Sequence, residues 1–204
     1  PEMKVVVYSG DGDLFAIGGN HFIHAARRNM DMLVVCVNNH TYGMTGGQVT
    51  PTTPTPAIAS TTPYGAFEHT FNLPYLAESA GASYVARWTT FHVRQLAKTM
   101  REALDRKGFR FIEVISPCPT LYGRRNRIGD GLASMKYYKE QSVVQNGANT
   151  RDIGIDFQSE IVCGKFVDEE RETWIEGYNR VTSAKLGSKF KLYPTGLEPA
   201  NGQA

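Results

Sequence analysis

The chain has 204 residues, a formal net charge of +2 and a charged fraction of 21%. This length suits one domain with a sizeable core, and the nearly balanced charge gives no reason to expect a nucleic-acid partner. No apolar run approaches the ~20 residues that cross a bilayer, and no basic and apolar leader opens the chain. The three cysteines contain no Cys-x-x-Cys pair and do not form a disulfide framework. We therefore expect a cytoplasmic protein that binds neither nucleic acid nor membrane.

The chain begins with alternating strand and helix patterns. Residues 4–8 and 33–37 are short apolar runs that predict two buried strands, and the segment between them has helical spacing. Residues 50–63 are rich in threonine and proline, a composition that argues against regular structure. We expect this stretch to be an extended loop that crosses the top of the sheet.

The next elements continue the alternation. Residues 72–81 predict a short helix that ends at a glycine, and residues 83–87 predict the next strand. Thr89 or Thr90 is the expected N-cap of another helix. The apolar residues that recur at helical spacing in this helix are Val93, Leu96, Ala97, Met100 and Leu104.

The end of that helix completes the pattern. Arg106 and Lys107 are expected in its last turn, Gly108 follows, and residues 109–115 return as a strand. Repeated strand–helix–strand units predict an α/β fold with a doubly wound, mostly parallel sheet.

Both ends of the chain carry weaker signals. The pattern fades after residue 147, so we expect one domain over 1–147 and a C-terminal extension over 148–204, with residues 198–204 disordered. The chain starts at Pro1 and enters a strand almost at once, so we expect a fragment that lacks an upstream region.

Polar turns follow the first two predicted strands. Gly10-Asp11-Gly12-Asp13 comes after the first strand, and Asn38-Asn39 comes after the second. The carboxyl ends of parallel strands bind ligands in open α/β folds, and carboxylate and carboxamide oxygens suit Mg²⁺. Glycine lets a backbone approach a phosphate closely. The turns therefore predict a diphosphate–metal site, and the alternative is a strand-to-helix turn with incidental acids.

Longer strings extend these two turns. They are GDGDLFAIGGNHFIHAARRN from Gly10, NNHTYGMTGGQ from Asn38 and PTTP from Pro51. The paired turns resemble the thiamine diphosphate motif, and the strings together resemble the β subunit of 2-oxoacid:ferredoxin oxidoreductases, most of all its 2-oxoglutarate branch. The resemblance is dense over residues 5–126 and thinner to residue 177. It implies a thiamine diphosphate-binding fold and an oxidoreductase of the 2-oxoglutarate synthase type.

The resemblance implies a metal site and a cofactor site in this chain. Asp11, Asn39 and the backbone carbonyl of Thr41 would bind Mg²⁺, with diphosphate oxygens and a water completing the octahedron. The N-terminus of the helix after the first strand would help to bind the diphosphate. The residues implied to bind or face the cofactor are Gly10, Asp11, Gly12, Asp13, Asn39, Gly43, Met44 and Thr45.

Acid–base catalysis has weaker candidates. Asn20, His21 and His24 follow the acidic turn and could exchange protons, although a helix histidine is more often a structural residue. The adjacent Arg27 and Arg28 could favour an anionic partner, and the interpretation that we prefer is a solvated helix face. In the resembled family the activating glutamate belongs to the α-subunit-type domain, so no such glutamate is assigned in this chain. A partner chain is then required for turnover.

Cys118 lies in the loop Ser116-Pro-Cys-Pro-Thr120 after a predicted strand. It matches the distant fourth cysteine of the [4Fe–4S] ligand set in the family, and the alternative is a free loop thiol. The other three ligands are absent from this chain, so it should hold no intact cluster. Cys36 is expected to be a core residue and Cys163 to be unligated.

The resemblance also implies partners and substrates. These are an α subunit, with γ and δ subunits in some assemblies, and ferredoxin, coenzyme A and a 2-oxoacid. We favour 2-oxoglutarate over pyruvate or a branched-chain acid, although Gly46 stands where some relatives have a lysine suited to a substrate carboxylate. Two other classes stay open, a non-oxidative thiamine diphosphate decarboxylase or carboligase and a non-catalytic scaffold subunit. A Rossmann dinucleotide site is excluded because no GxGxxG follows the first strand.

Overall fold

The computed structural model describes residues 3–192, and the tail expected to be disordered lies outside them. The strands are β1 (Val6–Gly10), β2 (Met32–Asn38), β3 (Tyr84–Thr89), β4 (Phe109–Ile115), β5 (Ser142–Val144) and β6 (Ile161–Asp168). The α-helices are α1 (Gly19–Arg27), α2 (Leu73–Ala80), α3 (Val93–Asp105), α4 (Gly131–Gln141) and α5 (Trp174–Leu186). Among the described residues, no helix is both long and apolar enough to cross a membrane.

The six strands form one mostly parallel sheet in the order β1-β2-β4-β3-β6-β5. Neighbours among β1, β2, β4 and β3 are parallel, β6 runs antiparallel to β3, and β5 is parallel to β6. The predicted α/β fold is therefore confirmed. The expected boundary at residue 147 falls between β5 and β6, so the segment after it extends the same sheet, and the boundary stays a prediction.

Helices cover both faces of the sheet, as a doubly wound fold requires. α1 and α2 pack on one face through a cluster that includes Phe15, Phe22 and Phe111, whose ring centroids lie 4.6–5.7 Å apart. α3 packs on the other face through Leu96 and Met100. Burying one such aromatic or aliphatic side chain contributes roughly 1.5–3 kcal/mol, so the two layers fix the central strands.

Two of the predicted elements agree closely with the structure. β4 has the predicted limits and is buried along its whole length, as expected for a central parallel strand. In α2 the side chain of Asn72 accepts a hydrogen bond from the N–H of Tyr75, and Gly81 ends the helix at φ +103°.

The prediction for the first strand was wrong in position and burial. β1 lies two residues further along than predicted, and Val6 and Tyr8 are 49% and 72% exposed. β1 pairs with β2 alone among the described strands, because it lies at the edge of the sheet. An apolar run reports strand propensity, whereas burial depends on which elements pack against it.

The start of α3 was also predicted wrongly. β3 continues to Thr89, and the N-cap of α3 is His92, with no side-chain capping bond. The Thr89 hydroxyl instead accepts a hydrogen bond from the N–H of Phe91 at 3.3 Å. Because strand pairing extends into the residues expected to cap the helix, the helix begins later.

The buried face and the C-terminal end of α3 also differ from those predicted from the sequence. Val93 and Ala97 are exposed, whereas Thr99 and Ala103 are buried. The helix ends at Asp105 with Arg106 as its C-cap, so the basic pair predicted for the last turn lies outside the helix. The sheet contact, rather than the apolar spacing alone, sets which face is covered.

Candidate functional site

The site lies at the carboxyl ends of β1 and β2. Gly10 is paired with Val37 in the parallel register, so Asp11 and Asn39 follow neighbouring strand ends. The backbone N–H of Asn39 points to Oδ1 of Asp11 at 3.5 Å. The two polar turns singled out in the sequence are therefore brought together by the sheet.

Asp11 is buried and its carboxylate is held in one orientation. Its Oδ2 atom accepts hydrogen bonds from the hydroxyls of Thr50 at 2.8 Å and Thr52 at 2.5 Å. Within residues 3–192, Oδ1 of the carboxylate receives only the long contact from Asn39. The threonine-rich loop thus occupies one oxygen and leaves the other available to a ligand.

Asn39 and Thr41 supply the other implied ligand oxygens. Oδ1 of Asn39 accepts the N–H of Thr41 at 3.1 Å and keeps a second lone pair. Among residues 3–192 the carbonyl of Thr41 accepts no hydrogen bond, although its hydroxyl donates to the carbonyl of Gln48 at 3.0 Å. A carboxylate, an amide and a backbone carbonyl form a donor set that fits Mg²⁺.

Gly12 is required by a close approach that the sequence did not reveal. A Cβ atom at Gly12 would lie 2.2 Å from a ring carbon of Tyr42, and the Tyr42 hydroxyl donates to the Gly12 carbonyl at 3.3 Å. Burial, followed by the charges of Asp11 and Asp13, raises the pKa of Tyr42. This ring therefore stays a neutral donor beside the turn.

Asp13 is exposed and accepts the hydroxyl of Ser9 at 3.0 Å. The helix expected after the turn begins as a π-helical turn, Asp13–Ile17, before α1 starts at Gly19. The backbone is already helical at Gly12, where φ is −64° and ψ is −41°.

The loop 43–47 lies between the implied metal ligand Asn39 and Cys118. A Cβ at Gly43 would lie 3.8 Å from Nδ2 of Asn39 and 4.0 Å from Sγ of Cys118. Met44 and Thr45 are exposed at the tip, and Thr45 exchanges two hydrogen bonds with Gln48 at 2.7 Å. The loop residues implied to face the cofactor therefore lie on the accessible side.

Cys118 is half-buried and precedes the π-helical turn Pro119–Gly123. It lines a small cavity of about 30 Å³ together with His40 and Tyr122. Cys36 and Cys163 are fully buried in β2 and β6, and burial raises the pKa of both thiols, that of Cys163 to about 11. Cys36 is confirmed as a core residue. Within residues 3–192, no cluster of three or more His, Cys, Asp or Glu side chains surrounds a metal position.

Sequence reasoning missed a buried polar network beneath the site. Arg87 donates to Glu113 at 2.6 Å, and Asn38 donates to the other oxygen of Glu113 at 2.8 Å. The Thr52 hydroxyl oxygen, which bonds to Asp11, also lies 3.0 Å from Oδ1 of Asn38, and this contact connects the network to Asp11. The available signal was the charged residues within two apolar strands, of which the register places Arg87 and Glu113 side by side.

His40 was also missed as a site residue. It adopts a left-handed conformation, with φ of +61°, which is uncommon outside glycine. Its N–H donates to Asn38 at 3.1 Å, and its ring lies 2.9 Å from the Thr52 carbonyl. Burial lowers the pKa of His40, while the charge of Asp11 opposes that shift. The strained turn is thus fixed by bonds on both sides.

The two histidines proposed as acid–base groups lie on the helix that follows the acidic turn. His21 and His24 are exposed on α1, and no hydrogen bond joins either ring to Asp11 within the described part of the chain. Asn20, Arg27 and Arg28 are exposed on the same segment, as expected for the arginines. The structure does not place any of these side chains in the site.

The mostly parallel sheet defines an α/β protein, and a carboxylate, an amide and a backbone carbonyl lie together at the carboxyl ends of β1 and β2. A family model described as "Thiamine pyrophosphate enzyme, C-terminal TPP binding domain" matches residues 1–114. The 2-oxoglutarate synthase subunit KorB of Methanocaldococcus jannaschii is 49% identical over 89% of this chain and 67% of its own length. That of Methanothermobacter marburgensis is 48% identical over 84% of this chain and 60% of its own length.

A solved structure supports the same assignment. It is a 2-oxoglutarate:ferredoxin oxidoreductase from Magnetococcus marinus with 2-oxoglutarate, coenzyme A and succinyl-CoA bound. It superposes with a TM-score of 0.76 at 27% identity and covers 91% of this chain and 63% of that chain. The chain belongs to the thiamine pyrophosphate enzymes and, within them, to the family of 2-oxoglutarate synthase KorB subunits. It spans 60–67% of the length of these relatives.

Proposed function

We propose that this chain provides the thiamine diphosphate–Mg²⁺ site of a 2-oxoacid:ferredoxin oxidoreductase acting on 2-oxoglutarate. The overall reaction releases carbon dioxide, joins the remaining acyl group to coenzyme A and passes an electron pair to ferredoxin. The single observation that carries the proposal is the carboxylate of Asp11, oriented by two threonines beside Asn39. The KorB relatives and the structure with bound 2-oxoglutarate favour this substrate over pyruvate or a branched-chain acid.

The residues of the chain would hold and orient the cofactor. Oδ1 of Asp11, Oδ1 of Asn39 and the carbonyl of Thr41 would bind Mg²⁺, and the backbone from Gly10 to Asp13 would face the diphosphate. Gly43, Met44 and Thr45 would lie against the rest of the cofactor. The thiazolium ring supplies the electron sink for decarboxylation when it is bound, so the chain need not provide one.

Electron transfer and proton exchange require groups beyond this chain. Cys118 is the proposed ligand to a [4Fe–4S] cluster, and its proximity to Gly43, in the loop 43–47, supports this role. We assign the remaining cluster cysteines to the complete subunit and the activating glutamate to the α subunit, with γ and δ subunits in some assemblies. Ferredoxin then accepts the electrons, and the assembly works in the cytoplasm.

The test uses the full-length β subunit assembled with its α subunit under anoxic conditions. We would measure coenzyme A-dependent reduction of ferredoxin with 2-oxoglutarate, pyruvate and 2-oxoisovalerate. We expect the fastest reduction with 2-oxoglutarate, and a Cys118→Ser complex should retain thiamine diphosphate but lose cluster iron and electron transfer. If the complex with unchanged Cys118 decarboxylates a 2-oxoacid without reducing ferredoxin, the result would favour a non-oxidative thiamine diphosphate enzyme. No turnover of any acid in a loaded complex would contradict the proposal and favour a scaffold subunit.

A further inference from the structure

Arg125 places a cation directly against the loop 43–47. Its Nη1 atom donates to the carbonyl of Gly46 at 3.2 Å. A Cβ atom at Gly47 would lie 2.1 Å from the same nitrogen, so the guanidinium packs directly against the backbone of Gly47. Gly46 and Gly47 have φ values of +116° and +88°, a region that favours glycine. The loop is therefore shaped to receive the Arg125 side chain.

The backbone beside Arg125 is fixed to the rest of the site. Asn126 is buried. Its side-chain oxygen accepts a hydrogen bond from the N–H of Ile58 at 2.7 Å, and its side-chain nitrogen donates one to the carbonyl of Ile58 at 3.1 Å. Gln158 donates to the carbonyl of Asn126 at 2.9 Å. These bonds tie the segment after Cys118 to the threonine-rich loop, so Arg125 extends from a rigid base.

The positive charge of Arg125 has no counter-ion within residues 3–192. None of the ion pairs in that range involves Arg125, and its one hydrogen bond there is the bond to Gly46. A guanidinium has five N–H donors in a planar fork that matches a carboxylate. Most of the donors of the half-buried Arg125 are therefore available to an anion beside the exposed loop.

The Arg125 guanidinium contacts the same loop as the residues implied to bind the metal and the cluster. The other end of the same loop lies beside Asn39 and Cys118, so Arg125 and the implied metal and cluster ligands surround one short segment. The loop itself contains no lysine or arginine between residues 40 and 50. Among the described residues, Arg125 is thus the cation bonded to this loop.

We propose that Arg125 determines substrate specificity by binding the distal carboxylate of a dicarboxylic 2-oxoacid. This inference rests on the function proposed above, because that function requires the reacting end of the substrate to lie near the loop 43–47. A monocarboxylic 2-oxoacid has no second carboxylate for the guanidinium. A dicarboxylic acid would form a bidentate pair with it, which a lysine could not reproduce in the same geometry.

The experiment compares Arg125→Gln with Arg124→Gln in the full-length assembled enzyme. Arg124 is the exposed neighbour and undergoes the same loss of charge. We would measure KM and kcat for 2-oxoglutarate and coenzyme A, and for 2-oxobutyrate as substrate or competitive inhibitor. We expect Arg125→Gln to raise the KM for 2-oxoglutarate at least about tenfold, with little change for 2-oxobutyrate. Arg124→Gln should leave every value close to that of the unchanged enzyme.

Other outcomes would separate the two proposals. An unchanged enzyme that turns over no 2-oxoacid contradicts the proposed function itself. An active enzyme in which Arg125→Gln alters only the KM for coenzyme A, or alters both acids equally, contradicts the specificity role. If Arg125→Gln does not assemble, Arg125→Lys gives the test. That variant keeps the charge without the fork, so its KM should rise selectively for 2-oxoglutarate, and an unchanged value contradicts the inference.

Discussion

Thr52 and Asp11 are 41 residues apart in the chain, yet the Thr52 hydroxyl oxygen lies 2.5 Å from Oδ2 of Asp11. The same hydroxyl is 3.0 Å from Oδ1 of Asn38, whose amide group bonds to Glu113. Thr52 therefore connects the implied metal ligand to the buried network of Arg87 and Glu113. The Pro-Thr-Thr-Pro segment is a structural part of the site, rather than a covering loop alone.

Replacing Thr52 by valine should weaken Mg²⁺-dependent binding of thiamine diphosphate by about 10–100-fold, as other changes around metal ligands do. Valine keeps the shape but removes the bond that orients Asp11. Isothermal titration calorimetry with and without Mg²⁺ measures the effect. Thr52→Ser, which retains the hydroxyl, should bind nearly as well as the unchanged chain. Equal binding by Thr52→Val would show that the hydroxyl does not orient the ligand.

Replacing Asp11 by asparagine should abolish the Mg²⁺-dependent part of thiamine diphosphate binding. The amide keeps the size of the side chain but removes the negative charge that a hard cation requires. Asp152→Asn makes the same change at an exposed carboxylate and should bind like the unchanged chain. If chelation of Mg²⁺ affects Asp11→Asn and the unchanged chain alike, Asp11 is not a metal ligand.

Replacing Glu113 by glutamine should lower the free energy of unfolding by about 3–5 kcal/mol, because Arg87 would remain buried without a counter-charge. Urea titration followed by circular dichroism measures this change. The matched control is Glu140→Gln, whose contact with Lys136 is exposed, and its expected cost is at most ~1 kcal/mol. Similar losses in the two variants would mean that the buried pair contributes no more than a surface pair.

The ion pairs of Asp168 predict a pH dependence of stability. Hydrogen bonding to Arg106, and then to Lys165, lowers the pKa of Asp168 to about 2. A carboxyl whose folded pKa is below its unfolded value stabilises the fold above the unfolded pKa. That contribution is lost as the pH falls through the folded value.

The difference in unfolding free energy between the unchanged chain and Asp168→Asn should be present at about pH 5 and vanish near pH 2. Urea titrations across this range measure it, and high salt should reduce it because the pair is partly exposed. Asp152→Asn should show no comparable trend. A difference that grows towards low pH would have the wrong sign and contradict the assignment.

Local pattern predicted much of the fold and part of the site. The strand β4, the caps of α2 and the two polar turns depend on side chains a few positions apart, so their periodicity is visible in the sequence. The edge position of β1 and the covered face of α3 were predicted wrongly, because neither depends on nearby residues alone.

The residue types at the ends of β1 and β2 could be predicted from the sequence, since the order of Asp11 and Asn39 after two apolar runs is a linear property. Tertiary structure alone decided that Thr52 orients Asp11, that Glu113 neutralises Arg87 and that Arg125 contacts the Gly46 loop. These contacts join residues 26 to 79 positions apart. Hydrogen bonds and charges act over a few ångströms in space, and the chain acquires that proximity only when the sheet assembles.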